Sequence, residues 1–274
     1  MTSHPRTQRE PARARTYLMC PPDYFAVQYA INPWMNPADP VDLTRAKQQW
    51  EQLRETYLGL GHTVRTIDPE PGLPDMVFAA NGATVIGGMV LGSRFKHPER
   101  HPEGAAYTNW FRRSGYRVID PLHVNEGEGD IIFAGRAIIA GYGFRTEAAV
   151  SGEAADLFGL PVISVRLVDP RFYHLDTALT VLDENTAAYY PAAFDEEGQA
   201  ALAAHFGELI EAKDADAEVL GLNGTSDGRN VVLPVQADGL AKEIGAAGFT
   251  VVPVDMSEFK KAGGGPKCCT LELR

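Results

Sequence analysis

Met76-Val77-Phe78-Ala79-Ala80-Asn81-Gly82-Ala83-Thr84-Val85-Ile86-Gly87-Gly88-Met89-Val90-Leu91 is a run of short apolar stretches punctuated by glycine. Met76–Ala80, Ala83–Ile86 and Met89–Leu91 read as strands, with Asn81-Gly82 as a hairpin turn. The theme returns downstream. Asp130–Phe133 is joined to Ala137–Ala140 through Ala134-Gly135, and Thr177–Leu182 to Thr186–Tyr190 through Asp183-Glu184-Asn185. Asn230–Pro234 supplies a further strand. Strands joined by such short turns behave as hairpins, which argues against a doubly wound parallel sheet.

Between these pairs runs a helix followed by another apolar strand. The expected units are Leu43–Leu60 then His62–Ile67, Ala106–Ser114 then Tyr116–Ile119, and Glu147–Phe158 then Val162–Val168. Glu197–Ile210 then Glu218–Leu222, and Leu240–Ala247 then Phe249–Val254, complete the series. In the first helix Leu43, Ala46, Trp50, Leu53 and Tyr57 share one face, with Asp42 as N-cap and Gly61 just past the end.

A polar residue stands at the start of each pair: Asn81, Asp130, Asp176 and Asn230, with Asn32 one step upstream. The steps are each about fifty residues, a spacing that marks repeat architecture. Five strand–strand–helix–strand units cannot each bury a face alone. They are expected to close into a ring with sheets inside and helices outside, the last strand Cys269–Leu273 returning to the first unit. The polar strand ends then converge on one axial pocket. Residues 16–274 form one such domain in this reading, and residues 1–15, with Arg6, Arg9, Arg13 and Arg15, form a mobile basic tail.

Composition narrows the function. The 274-residue chain is 45% hydrophobic and carries a formal net charge of −11, which argues against a general nucleic-acid binder. It has no apolar run long enough to span a membrane. Cys20, Cys268 and Cys269 are an odd set with no CxxC and no paired Cys/His spacing, so neither a disulfide framework nor a structural zinc site is marked. A reducing cytoplasm fits this usage. Gly141-Tyr142-Gly143 and Gly221-Leu222-Asn223-Gly224 both fail the phosphate-binding patterns, and there is no GxSxG elbow.

The residues with chemical potential lie elsewhere. Cys268 follows Gly263-Gly264-Gly265-Pro266-Lys267, where glycines permit close approach of backbone to a ligand and Lys267 is placed to lower the thiol pKa. Against this stands the ordinary fate of a free cysteine as a small buried apolar residue. Cys269, its neighbour, would face away on a strand. His174-Leu175-Asp176 puts an imidazole and a carboxylate on one face of an extended segment, suited to acid/base work and to holding a cation. Glu126, Glu128 and Asp130 alternate among glycines, either as a solvated acidic turn or as site carboxylates. Arg145 and Arg94 are by default surface arginines.

Gly263-Gly264-Gly265-Pro266-Lys267-Cys268 and Phe172-Tyr173-His174-Leu175-Asp176-Thr177, with Glu126-Gly127-Glu128-Gly129-Asp130 and Gly143-Phe144-Arg145-Thr146, resemble the guanidino-group-modifying, or pentein, superfamily. The resemblance extends over nearly all the chain after residue 16. It implies a five-bladed α/β propeller of ββαβ repeats with pseudo-fivefold symmetry. It implies Cys268 as nucleophile, His174 as general acid/base and Glu126 as the partner carboxylate, with Glu128 as the competing choice. Asn81, Asp176, Asn32, Arg145, Arg94 and Asp130 would bind substrate. It implies no cofactor and no metal, a small-molecule substrate in arginine or a derivative of it, and a homo-oligomer as a family habit. Asn81 stands where arginine deiminases and dimethylarginine hydrolases usually have Asp, and Asp176 stands where the latter typically lack one. Both features are similar to arginine dihydrolases. The expected activity is therefore that of an arginine dihydrolase, forming ornithine, carbon dioxide and two ammonia. A dimethylarginine dimethylaminohydrolase or arginine deiminase forming citrulline is the alternative, and an inactive ring-shaped binding module is the alternative of another class.

Overall fold

In the computed structural model, residues 12–274 are described. They build five separate three-stranded sheets, none of which closes on itself. The first sheet begins with β1 (Thr16–Met19) and β2 (Thr63–Thr66), which run parallel. The second holds β3 (Ala83–Ile86), β4 (Met89–Gly92) and β5 (Arg117–Ile119), and the third β6 (Ile131–Phe133), β7 (Ile138–Tyr142) and β8 (Val162–Arg166). The fourth holds β9 (Leu179–Val181), β10 (Thr186–Tyr189) and β11 (Glu208–Glu211), and the fifth β12 (Thr225–Ser226), β13 (Asn230–Pro234) and β14 (Thr250–Val254). β15 (Leu271–Glu272) then pairs antiparallel with β1 and completes the first sheet from the other end of the chain. Every sheet thus has one antiparallel and one parallel pairing. The antiparallel neighbour needs only a turn, whereas the parallel one needs a crossover, and a helix supplies it each time.

The first crossover shows how sequence dictates packing. Its helix runs Leu43–Gly59 and buries Ala46, Gln49, Trp50, Leu53 and Tyr57, close to the expected face. Asp42 caps it by accepting from the Arg45 N–H at 3.0 Å. Tyr57 is fully buried, and its hydroxyl lies 3.0 Å from the hydroxyls of both Thr225 and Thr270. A buried phenol needs such partners, and here they tie the first sheet to the fifth.

Four expectations are corrected. Asn81-Gly82 is not a hairpin turn but part of a 3₁₀ segment, Ala79–Gly82. The reversal falls at Gly87-Gly88, whose φ angles of 60° and 76° are those a tight two-residue turn demands. The helix expected to reach Ile210 ends at His205, and Glu208–Glu211 is strand β11. Glu218–Leu222 is correspondingly irregular. Asn230 is the first residue of β13, the second strand of its antiparallel pair, and its amide donates to Asp227 at 2.7 Å. The residue that opens the fifth sheet is instead Asn223. Finally, the end of the expected tail is held: the Arg13 N–H donates to the Asp227 carbonyl at 3.2 Å, and Arg15 pairs with Glu272 at 3.2 Å. Arg6 and Arg9 lie outside the described residues.

These corrections sharpen the periodicity. Asn81, Asp130, Asp176, Asn223 and Cys268 now stand just before β3, β6, β9, β12 and β15, the strands that begin each antiparallel pair. Asn32 is not part of this series. It lies in the long irregular segment, residues 20–42, between β1 and the first helix.

Candidate active site

The five strand-opening residues are all buried. Short bonds weave their neighbourhoods together. The Ala80 N–H donates to the Cys268 carbonyl at 3.0 Å, the Leu175 N–H to Oδ1 of Asp130 at 2.9 Å, and Asn223 Nδ2 to the Asp176 carbonyl at 3.0 Å.

Around Cys268 the chain turns sharply. Its Sγ lies 3.2 Å from Oδ2 of Asp176 and 3.0 Å from Nδ2 of Asn223, and its N–H donates to Oδ1 of Asn223 at 3.0 Å. Burial pushes the thiol well up, and the Asp176 carboxylate beside it adds to the shift. Burial likewise pushes Asp176 up to about 7. Lys267 does not act on the thiol as expected. Its ammonium is held 2.7 Å from Glu128 and 3.0 Å from the Thr270 carbonyl. Cys269 is buried in the apolar core, in a turn rather than on a strand.

Around His174 the arrangement is ionic. His174 Nε2 lies 2.7 Å from Oε2 of Glu126, and Arg145 Nη1 donates to the same oxygen at 2.8 Å. Burial alone would raise Glu126, but Arg145, His174 and Arg100 outweigh it and hold the carboxyl well below the usual range. At Asp130 burial outweighs the opposing effects of His174, Thr146 and the Leu175 N–H and pushes the carboxyl up to about 6. Two glycines make this packing possible. Gly127, at φ 56°, would bring a Cβ within 2.7 Å of the Ala80 and Ala83 carbonyls. A Cβ on Gly129 would meet Asn81 Nδ2 at 2.4 Å and the His174 ring at 3.3 Å.

The structure separates the two glutamates. Glu126 faces His174, whereas Glu128 faces the C-terminal strand, binding Lys267, Arg274 and the Glu272 N–H. It also separates the two arginines. Arg145 is buried, with Nη2 on the Ile31 carbonyl at 2.9 Å and its guanidinium 4.7 Å from the Tyr173 ring centre. Arg94 is exposed and its side chain donates to the Leu122 carbonyl at 3.0 Å. Asn32 sits at the edge, its amide on the Ala262 carbonyl at 3.0 Å beside Gly263.

Four residues here were not singled out from sequence. Arg100 is buried, donates to Asn81 Oδ1 at 3.0 Å and pairs with Glu103 at 2.7 Å. Asp75 is buried, accepts from the Tyr29 hydroxyl at 2.8 Å and leaves Oδ1 without a partner. Tyr173 donates to the Gly263 carbonyl at 2.9 Å. Asn223 is the fourth. Only Asn223 carried a legible signal, the fifty-residue step, which the apolar run at Asn230–Pro234 drew seven residues too far. A cavity of about 390 Å³ lies elsewhere, lined by Arg15, Thr180, Ser226, Lys267 and Arg274 but by neither Cys268 nor His174.

The sequence profile of the eukaryotic N,N dimethylarginine dimethylhydrolase family matches residues 30–274. The chain is 54% identical, over 97% of its length and 88% of the relative's, to an N(G),N(G)-dimethylarginine dimethylaminohydrolase of Mycobacterium tuberculosis. It belongs to the pentein superfamily. Its class of chemistry is that of these hydrolases, which act on C–N bonds of guanidino groups. A second relative is the bifunctional arginine dihydrolase/ornithine cyclodeaminase AgrE of Nostoc, 37% identical over 94% of this pentein chain but only 37% of the relative. Among solved structures, the N-terminal domain of the cyanobacterial arginine dihydrolase ArgZ with product bound superposes with a TM-score of 0.90 at 35% identity, covering 96% of this chain and 98% of that one. Among the described residues, no helix is long and apolar enough to cross a membrane.

Proposed function

We propose that residues 16–274 form a single five-bladed α/β propeller with pseudo-fivefold symmetry, and that Cys268 is the nucleophile of an arginine dihydrolase. The five sheets, the return of β15 to β1 and the convergence of five strand-opening residues support the ring. A buried neutral thiol beside a carboxylate is a poor nucleophile until a cation arrives. The guanidinium of the substrate supplies that cation. With it bound against Asp176, the thiol releases its proton to solvent, and the thiolate attacks the guanidinium carbon, making a C–S bond. The C–N bond breaks as His174, polarised by Glu126, protonates the leaving nitrogen, and ammonia departs. Water then attacks the thiouronium carbon and gives a proton to His174. The C–S bond breaks, restoring Cys268 and leaving a ureido group.

A second cycle on that ureido group releases another ammonia and yields carbon dioxide and the amine. The observation that carries this step is the orientation of Asn81. Its Oδ1 is taken by Arg100, so its amino end is presented on the side of Glu126 and Gly129. A neutral ureido oxygen needs a donor there, which an ionised carboxylate cannot offer. Arg145 would hold the substrate's α-carboxylate. A second reading, dimethylarginine hydrolysis stopping at citrulline, is favoured by the 54% identity to a relative of that name. Incubation with arginine and with asymmetric dimethylarginine decides between them: ornithine with two ammonia per arginine supports the first, citrulline with dimethylamine the second.

A further inference from the structure

We infer that Asn223 is a catalytic residue of this site, the donor that stabilises the Cys268 thiolate. The inference rests on the assignment of Cys268 as nucleophile. Asn223 has no solvent exposure, and every polar group of its side chain is committed to the nucleophile's surroundings. Nδ2 points at Sγ from 3.0 Å and also reaches the Asp176 carbonyl at 3.0 Å. Oδ1 accepts the Cys268 N–H at 3.0 Å, and the Asn223 carbonyl accepts the Lys267 N–H at 3.1 Å. Gly265 packs closely on this side chain, since a Cβ there would stand 3.0 Å from Oδ1 of Asn223.

The chemistry follows from the atoms. Cys268 forms its N–H bond in either charge state, so that contact only fixes the turn. The Nδ2–H contact differs, because an N–H donor bonds a thiolate far better than a thiol. It therefore lowers the free energy of the anion that attacks, and of the anion restored when the C–S bond breaks. On the other flank Asp176 offers only carboxylate oxygen, which opposes the thiolate until substrate is bound. Asn223 is the neutral group that counters this, without a charge that would repel a guanidinium. Its position before β12 is structurally the position of Asn81 before β3, Asp130 before β6 and Asp176 before β9. In four of the five repeats the same place thus carries an amide or a carboxylate turned to the centre, and in the fifth it carries the thiol.

Asn223→Asp tests this directly. It preserves shape and the acceptor for the Cys268 N–H but replaces the donor with an acceptor. The rate of Cys268 alkylation by iodoacetamide is measured against pH, located by peptide mass, together with kcat and KM. The expected result is an alkylation midpoint displaced upward by about one pH unit or more, with kcat reduced about 10²-fold, the scale of losing one preorganised donor, and KM changed far less. Asn223→Ser, which restores a hydroxyl donor, recovers part of both. A midpoint that does not move in Asn223→Asp overturns the inference, as does an unchanged kcat. Thermal melts of both variants separate misfolding from chemistry, and if Asn223→Asp does not fold, the Ser variant carries the test against wild type with the same two readouts. Full turnover in Cys268→Ala would instead refute the nucleophile assignment itself.

Discussion

Nε2 of His174 lies 2.7 Å from Oε2 of Glu126, inside a pocket where neither side chain is open to solvent. Because Arg145 grips the same oxygen, the carboxylate stays ionised and the imidazole is fixed in one orientation. Glu126→Gln removes the charge that Arg145 and His174 both contact. We expect kcat to fall by roughly 10²–10⁴-fold, the usual scale for losing acid/base assistance, with KM changed far less. Steady-state kinetics from pH 5 to 9 checks it.

Glu128 gives the contrasting outcome. Its ties to Lys267, Arg274 and the Glu272 N–H fasten β15, so it is expected to act on stability. Removing one partner of a buried ion cluster costs about 3–5 kcal/mol. Glu128→Ala should therefore lower the denaturant midpoint strongly. Under conditions where the variant remains folded, His174-dependent steps should persist, and urea titration with parallel assays separates the two effects.

How far the sequence alone led is visible in these two glutamates. The repeat of about fifty residues was legible because hairpins and helices leave different periodicities, and Asp176 stood at its phase, whereas Cys268 was marked by the glycine run before it and His174 by its two-residue spacing from Asp176. The choice between Glu126 and Glu128 was open, since alternation in a glycine-rich stretch does not say which carboxylate turns inward. The 3₁₀ geometry after Glu126 decides it, and that geometry depends on Gly127 packing against Ala80 and Ala83, contacts remote in sequence. Arg100 was invisible for a similar reason: its charge is buried only because Glu103, Asn81 and Asp75 meet it there.

Asp176 should make stability depend on pH. Burial raises its folded pKa to about 7, well above the ordinary carboxyl value of about 3.9. The stability linked to its proton is therefore fully present below about pH 4 and lost as pH rises through 7. Asp176→Asn should melt a few degrees above wild type at pH 8, with the difference shrinking toward pH 4. Calorimetry across that range checks the sign.

The two arginines should behave differently. Arg145→Lys keeps a charge but cannot span Glu126 and the Ile31 carbonyl together, so kcat/KM is expected to drop at least tenfold, a loss of about 1.4 kcal/mol in transition-state stabilisation. Arg94→Ala, at an exposed site bonded to the Leu122 carbonyl, should leave kcat/KM within about twofold.

Gly129→Ala adds one methyl group between Asn81 and His174. A displacement of about 1 Å at either group can cost about 10² in rate, so activity should suffer more than the melting temperature. Asn81→Asp keeps the acceptor for Arg100 but removes the inward donor, and should shift the product from ornithine toward citrulline, read by amino-acid analysis.

Covalent chemistry at Cys268 is open to direct observation by acid-quenching the protein during turnover of arginine and mapping peptides by mass. An adduct of the substrate's carbon skeleton on the peptide bearing Cys268, decaying once substrate is consumed and missing in Cys268→Ala, is the expected result. Turnover without any adduct on that peptide, together with ornithine or citrulline still formed by Cys268→Ala, would contradict it.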